Sequence, residues 1–174
     1  MRVIAGRFRR RTLNSVPGLA VRPTPDRLRE SLFSVLAPRL PGTTFLDAYA
    51  GSGSVGIEAL SRGAKHVVFI ERSGRALEVL RENLSSLAID KDEATVSRGS
   101  APMLLQNHPC NIAFIDPPYD QADEYQQSLN ALAATSVQLV IAQHPSRMLL
   151  NENYGRLSKM RVLKQGDNSL SFYE

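Results

Sequence analysis

The chain has 174 residues, an apolar fraction of 43% and a formal net charge of +4. This length suits one domain with a real hydrophobic core, and the apolar fraction excludes extensive disorder. The single cysteine, Cys110, excludes an internal disulfide, and no apolar run approaches the roughly 20 residues of a membrane helix. The first residues also lack the apolar core of a signal peptide. We therefore expect a cytoplasmic monomer with no membrane contact.

The basic charge is concentrated in the first 39 residues. This segment carries nine arginines and two acids, a net charge of +7, whereas the other 135 residues carry a net charge of −3. Arginine suits bidentate contact with phosphate. We predict that residues 1–39 form a basic RNA-binding arm with one helix and that residues 40–174 form the main domain, the plainer alternative being a solvated surface arm. The arginines predicted to contact RNA are Arg7, Arg9, Arg10, Arg11, Arg22 and Arg27.

A helix is predicted at the end of this arm. Thr24 suits the N-cap and Pro25 the first helical position. Apolar residues then recur at helical spacing, and Arg27 and Arg29 are expected to point away from that apolar face. A Pro-Gly pair at 41–42 marks the predicted boundary with the main domain. The apolar face comprises Leu28, Leu32, Val35 and Leu36.

The main domain alternates between predicted strands and helices. Such alternation indicates a mostly parallel sheet with helices on both faces, and a closing hairpin adds an antiparallel strand. The pattern predicts a Rossmann-like α/β fold with seven strands. The strands are predicted at 43–48, 65–70, 94–97, 111–115, 137–142, 157–164 and 169–173, and the helices at 53–62, from Ser73 to 87, at 101–107 and at 122–133.

A glycine-rich segment follows the first strand and indicates a nucleotide-like ligand. Gly51, Gly53 and Gly56 fit the dinucleotide fingerprint, and Glu71 at the next strand end can accept ribose hydroxyls. Both features fit NAD as well as S-adenosylmethionine. Asp47 favours S-adenosylmethionine, because a carboxylate attracts its sulfonium and ammonium groups and repels a pyrophosphate; the alternative is an Asp that caps the following turn.

Ser100 follows the third strand, where an adenine contact is expected, although it can instead cap the next helix. The predicted cofactor-binding residues are Asp47, Tyr49, Gly51, Ser52, Gly53, Gly56, Glu71, Arg72, Ser100 and Ala101.

Asp116-Pro117-Pro118-Tyr119 directly follows the apolar run 112–115. An acid and a backbone carbonyl can accept both hydrogens of a planar amino group, while the prolines stiffen the turn and the tyrosine stacks on a base. We predict that these four residues form the catalytic site, and that the enzyme methylates the amino group of a nucleobase. His66, His108 and His144 are scattered, so no metal site is predicted.

Several segments, in this order, resemble the RsmD family of bacterial methyltransferases. They are 22–33, with Arg22-Pro23-Thr24-Pro25; 47–64, which holds the glycine loop; and Asp116-Pro117-Pro118-Tyr119. Residues 1–6 and 170–173 match as well, so the similarity spans essentially the whole chain. The resemblance implies a class I methyltransferase fold, S-adenosylmethionine as the donor, and methylation of guanine N2 in 16S ribosomal RNA, either free or in an assembling small subunit. The chain departs from the family at Ala48-Tyr49, Ser100, Gln143 and the short link 90–93.

Three competing functions stay open on sequence alone. A DNA adenine or cytosine amino-methyltransferase would bind its target amine with the same motif, Asp116-Pro117-Pro118-Tyr119. The chain, however, shows no second domain that could recognise a DNA sequence. A non-catalytic RNA-binding assembly factor would not need the intact glycine loop. A nicotinamide oxidoreductase is disfavoured by Asp47.

Overall fold

A computed structural model describes residues 1–17 and 26–174 as an eight-stranded sheet with helices on both faces. The predicted N-cap Thr24, the helix-initiating Pro25 and Arg22 lie outside the described residues. Among the described residues, no helix combines the length and apolar character needed to cross a bilayer. The helices are α1 (Asp26–Leu36), α2 (Ser54–Ser61), α3 (Gly74–Ser86), α4 (Ala101–Leu104) and α5 (Ala122–Ala133), with a 3-10 turn at Leu105–Asn107.

The strand order across the sheet is β3-β2-β1-β4-β5-β8-β7-β6. The first five strands pair in parallel, and β8 joins β5 in the antiparallel sense. The strands are β1 (Thr44–Ala48), β2 (His66–Glu71), β3 (Ala94–Arg98), β4 (Ile112–Ile115), β5 (Leu139–Pro145), β6 (Asn153–Tyr154), β7 (Leu157–Gln165) and β8 (Asn168–Tyr173). The prediction of a mostly parallel, doubly wound sheet is confirmed. The predicted count of seven strands is wrong by one, because β6 has only two residues and so shows no period-two pattern.

Two hydrophobic clusters cover the two faces of the sheet. Successive side chains of a strand point to opposite faces, so Phe45 of β1 joins one cluster and Leu46 joins the other. The first cluster lies beneath α1, α2 and α3, and the second beneath α4 and α5. Because both faces are covered, the central strands are continuous apolar runs, and that is why the sequence revealed them.

The amino-terminal arm packs onto α2 and shares its core. Val3 and Leu13 are buried in the same cluster as α1, α2 and α3. Glu58 of α2 is fully buried and accepts the backbone N–H groups of Ile4 at 2.8 Å and Ala5 at 3.0 Å. The Glu58 carboxylate also accepts a hydrogen bond from Arg62 Nε at 2.7 Å. The described part of residues 1–39 is therefore continuous with the core of the main domain.

Arg29 does not point away from the apolar face, as the sequence analysis expected; it is fully buried. Its Nη2 donates to the carbonyl of Arg2 at 2.7 Å and to Asp26 Oδ1 at 3.0 Å. Burial lowers the pKa of the guanidinium, while nearby Glu58 and Asp26 raise it. The prediction was wrong because helical periodicity reports one buried face, whereas the arm covers α1 from a second side.

Gly56 allows α2 to approach the sheet closely. A Cβ atom at this position would lie 2.2 Å from Phe69 Cε1 and 2.9 Å from Val67 Cγ1. Both contacts are much shorter than van der Waals separation, and both neighbours are buried β2 residues. Helix α2 therefore needs glycine here for packing.

We expect Gly56→Ala to lower the free energy of unfolding by about 1–3 kcal/mol, because α2 or Phe69 must shift to admit the methyl group. Denaturant unfolding followed by circular dichroism measures the change. Gly74→Ala is the matched control, since a Cβ there meets only Arg98 Nη2 at 3.9 Å. Equal unfolding midpoints for the two variants would contradict the packing role of Gly56.

Candidate active site

A cavity of about 660 Å³ opens at the carboxyl edge of the parallel strands. The loops after β1, β2, β3 and β4 line it, together with residues of β5, α5 and the amino-terminal arm. Strand order reverses between β1 and β4, and ligands of open α/β sheets bind at such a switch point. The volume is that of a typical small-molecule site.

The glycine loop turns sharply between β1 and α2. Tyr49, Gly51 and Gly53 have φ values of 88°, 56° and 84°, and the Gly53 N–H closes a turn on the Ala50 carbonyl at 2.8 Å. Gly51 and Ser52 line the cavity, as expected for cofactor-binding residues. Gly53 and Gly56 do not line it. A Cβ at Gly53 would lie 2.3 Å from Leu80 Cδ1, so both glycines serve packing behind the cavity wall.

Asp47 lines the cavity floor and also anchors the start of α2. It is almost fully buried, and its Oδ2 accepts the Gly56 N–H at 2.8 Å. Burial raises the pKa of this carboxyl to about 7; the Gly56 N–H opposes that shift and Glu71 adds to it. The sequence analysis offered two roles, a cofactor contact and a cap on the turn. The geometry combines a capping bond with a position on the cavity floor.

Glu71 at the end of β2 ties the glycine loop to the start of α3. Its two carboxylate oxygens accept the N–H groups of Gly51 at 2.8 Å and Ser73 at 2.7 Å. Each carboxylate oxygen has a second lone pair, so Glu71 can also accept ribose hydroxyls at the cavity surface.

Two other predicted cofactor residues connect the cavity rim to α5. The Tyr49 hydroxyl pairs with Ser128 Oγ at 2.8 Å. Arg72 is exposed and donates to Glu124 and to Gln121, both at 3.0 Å. These bonds close one side of the cavity, between the loops after β1 and β2 and the helix after β4.

Ser100 and Ala101 line the cavity after β3, where the adenine contact was predicted. Ser100 occupies the N-cap position of α4, yet its side chain makes no capping bond. The alternative role that the sequence allowed, a cap, is therefore not used by this hydroxyl.

Asp116 follows β4 and lies half-buried in the cavity wall. Its Oδ2 accepts the Gln143 side-chain amide at 3.0 Å. Burial, assisted by the charge of Asp47, raises the pKa of Asp116 to about 8. Two carboxyls with raised pKa values beside each other form a region that favours a cationic ligand.

Tyr125 supports the Asp116-Pro117-Pro118-Tyr119 turn from beneath, and it was not predicted from the sequence. This side chain is fully buried in α5, and its hydroxyl lies 2.9 Å from the Gln143 carbonyl and 3.3 Å from the Pro117 carbonyl. It therefore joins the end of β5 to the turn after β4. An apolar-face aromatic in an amphipathic helix gives no signal that distinguishes this role from ordinary packing.

Tyr119 lies at the mouth of the cavity and is 41% exposed. Its hydroxyl donates to Asn168 Oδ1 at 2.7 Å, so the turn between β7 and β8 holds the ring. Asn168 is a second residue that the sequence analysis missed, because the turn lies 49 positions away in the chain.

The residues present fit S-adenosylmethionine. Asp47 and Asp116 supply negative charge for a cationic centre, Glu71 suits a ribose, and apolar side chains from three segments suit a flat base. A pyrophosphate would meet two carboxyls on the cavity floor. The apolar lining residues include Ile70, Ala76 and Ala101.

Arg7 and Arg11 of the arm do not line this cavity. The Arg7 N–H bonds the carbonyl of Ser61, the last residue of α2, and its side chain pairs with Glu93, just before β3. Arg11 donates at 2.8 Å to the carbonyl of Ser86, the last residue of α3. Arg7 and Arg11 therefore flank a turn of the arm that contacts the last residues of α2 and α3.

Arg9 and Arg10 share that turn and are exposed. Arg27 is exposed near the start of α1. Among the predicted RNA-binding residues that the structure describes, Arg27 therefore lies on a different element from Arg7, Arg9, Arg10 and Arg11. No cluster of three potential metal-binding His, Cys, Asp or Glu side chains occurs in the described parts of the chain.

The family model described as "Conserved hypothetical protein 95" matches residues 1–174. "Putative rRNA methyltransferase YlbH" of Bacillus subtilis is 34% identical, and the match covers 100% of this chain and 98% of that protein. "Ribosomal RNA small subunit methyltransferase D" of Haemophilus influenzae is 41% identical over 123 residues, which cover 68% of this chain and 64% of the relative. The chain therefore matches less than two thirds of the latter protein.

The fold is also found in solved structures. The structure "Putative methyltransferase yhhF from Escherichia coli" superposes with a TM-score of 0.85 and 32% identity, covering 99% of this chain and 96% of that chain. The sheet order, the cavity at its switch point and these similarities all indicate the same fold. The chain belongs to the RsmD family and has the class I methyltransferase fold that the resemblance implied.

Proposed function

We propose that this protein transfers a methyl group from S-adenosylmethionine to the exocyclic N2 amine of a guanine in small-subunit ribosomal RNA. The observation that carries the proposal is the half-buried Asp116 beside the Pro117 carbonyl in the cavity wall. The names of the relatives, which specify ribosomal RNA and its small subunit, support the acceptor.

The tetrapeptide provides two acceptors for the two amine hydrogens. The lone pair of a guanine amine is delocalised into the ring, so the free amine is a poor nucleophile. Hydrogen bonds to the Asp116 carboxylate and the Pro117 carbonyl would favour a pyramidal nitrogen with a localised lone pair. The hydrogen bond from the Gln143 side-chain amide would hold the Asp116 carboxylate in place, and the Tyr125 hydroxyl would hold the Pro117 carbonyl. S-adenosylmethionine, when bound, supplies the electrophilic methyl group on a sulfonium leaving group.

The acceptor base must leave its stack to reach Asp116, or be unpaired already. Tyr119 offers an exposed ring at the cavity mouth on which the base can stack, and Asn168 fixes the orientation of that ring. The amine proton that is lost on methylation can pass to water at this open rim, so Asp116 need not act as a strong base.

We propose a revised RNA-binding surface at the cavity rim. Arg27 near the start of α1 and Lys164 near the end of β7 are exposed, and Ser31 bonds Gln165 at 3.4 Å between these two elements. Lys164 precedes Gln165, which pairs with Asn168, the residue that bonds the Tyr119 hydroxyl. Arg9 and Arg10 would reach RNA only if the acceptor also extended across α2 and α3.

Asp116→Asn should reduce methyl transfer by about three orders of magnitude or more, because the neutral amide cannot accept as strongly and offers a donor in place of an acceptor. The binding of S-adenosylhomocysteine should change by less than about tenfold. We would measure labelled methyl transfer to unmodified small subunits with nucleoside analysis, and donor binding by calorimetry.

Asp123→Asn is the matched control, since Asp123 is an exposed acid in the first turn of α5. N2-methylguanosine that forms equally with Asp116→Asn would refute the catalytic role. Label on DNA would favour the DNA amino-methyltransferase, and donor binding without transfer to any nucleic acid would favour a binding-only protein.

Donor binding should release protons near neutral pH. The carboxyls of Asp47 and Asp116 have pKa values of about 7 and about 8 in the donor-free protein, and a bound cation stabilises their ionised forms. The affinity for S-adenosylmethionine should therefore rise between pH 6 and pH 8, by at most about tenfold per pH unit for each proton released. Calorimetry in buffers of different ionisation enthalpy counts the protons.

The same raised pKa values predict the opposite trend for the stability of the donor-free protein. Between about pH 4 and pH 8 these two carboxyls bind more protons in the folded state than in the unfolded state, so their contribution to the free energy of unfolding falls as pH rises. Asp116→Asn should remove part of both effects. An affinity that is equal at pH 6 and pH 8 would contradict the electrostatic account of the donor site.

Combined Arg27→Ala and Lys164→Ala substitutions should raise the KM for the RNA substrate about tenfold, because each removes a phosphate contact at the rim. The salt dependence of RNA binding should also become shallower, by about 0.7–0.9 in log–log slope for each lost contact. Combined Arg9→Ala and Arg10→Ala substitutions should have the smaller effect. The reverse ranking would mean that the acceptor RNA contacts the turn of the arm that holds Arg9 and Arg10.

A further inference from the structure

The amino-terminal arm forms one wall of the cavity, on the side of the glycine loop. Met1, Ser15 and Val16 line the cavity together with Ser52 and Val55. The motifs in the sequence associate the arm with RNA and the glycine loop with the donor, so this shared wall is visible only in the folded structure.

Asn83 of α3 joins the arm to the glycine loop. Its side chain is 1% exposed. Its Oδ1 accepts the Asn14 N–H at 2.8 Å, and its Nδ2 donates to the Asn14 carbonyl at 3.1 Å and to the Ser52 carbonyl at 2.9 Å. One buried amide therefore makes hydrogen bonds with the backbones of two segments that are 38 positions apart and that both reach the cavity.

These bonds orient both walls at once. Ser15, which follows Asn14, lines the cavity, and so does Ser52, which lies between Gly51 and Gly53. Fixing the Ser52 carbonyl outward, toward α3, also fixes the plane of the Ser52–Gly53 peptide. A buried amide that loses its partners, or a buried carbonyl that loses its donor, is costly, so the three bonds should form and break together.

We propose that Asn83 is a positioning residue for the donor and that the arm segment around Ser15 and Val16 is part of the donor-binding wall. Donor binding would then order the arm as well as the glycine loop. This inference rests on S-adenosylmethionine as the donor and not on the nature of the acceptor.

The test compares S-adenosylhomocysteine binding with the exposure of the arm. We expect Asn83→Ala to weaken binding about tenfold in calorimetry, because the loop and the arm lose their common anchor. Hydrogen–deuterium exchange of the peptide that contains Asn14, Ser15 and Val16 should slow when S-adenosylhomocysteine binds to the unaltered protein. It should be fast, and insensitive to the ligand, in Asn83→Ala.

Two control variants separate positioning from general stability. Glu82→Ala removes the neighbouring exposed side chain, whose carboxylate accepts the Asn14 side-chain amide at 3.3 Å. Val79→Ala shortens another buried side chain of α3 and removes no hydrogen bond to the arm or the loop. Both should bind S-adenosylhomocysteine within about twofold of the unaltered protein. If Asn83→Ala does not fold, Asn83→Asp keeps the side-chain volume and the acceptor but removes both donated bonds.

Two results would overturn the proposal. One is unchanged affinity together with ligand-dependent protection of the arm in both Asn83 variants. The other is an equal loss of affinity in Val79→Ala, which would assign the effect to general destabilisation of α3. Failure of the unaltered protein to bind S-adenosylhomocysteine would contradict the donor itself, and is therefore distinguishable from failure of the positioning role.

Discussion

Helix α2 lies against the sheet at Gly56, where even a methyl group would overlap Phe69. This close approach brings the Gly56 N–H to within 2.8 Å of the Asp47 carboxylate, which is thereby held at the cavity floor. The loop between them has little freedom left, since Glu71 binds Gly51 from β2 and Asn83 binds Ser52 from α3. The shape of the cavity thus depends on the packing of α2 against β2, because this contact fixes the position of Asp47 and of the glycine loop.

The cavity concentrates carboxyl groups where water is scarce. Asp47 and Asp116 both have raised pKa values, because burial disfavours the charged form; the charge of Glu71 adds to the shift of Asp47, and the charge of Asp47 adds to that of Asp116. Such an arrangement is unfavourable for the empty protein and favourable once a cation is bound. Carboxyl groups with shifted pKa values in a cleft are consistent with a functional site. The negative charge of their ionised forms favours a cationic ligand over a pyrophosphate.

The arm has more than one structural role. Val3 and Leu13 extend the core over α1, α2 and α3, and Ser15 and Val16 complete the cavity. Arg7 and Arg11 bond the carbonyls of the last residues of α2 and α3, where positive charge also complements the helix dipoles. A basic segment whose composition predicts nucleic-acid binding can therefore also be part of the hydrophobic core.

The sequence by itself determined the alternation of strands and helices, because strands buried on both faces are continuous apolar runs and the glycine and proline turns separate them. It also located Asp47, Glu71 and Asp116, since an acid at the carboxyl end of a parallel strand must lie at the same edge of the sheet as the others. Only the tertiary structure decided what those side chains contact. Tyr125 beneath Pro117, Asn83 between the arm and the loop, and the burial of Arg29 all depend on segments that are distant in the chain. Local periodicity carries no information about such partners, because it reports which face of an element is buried and not what covers it.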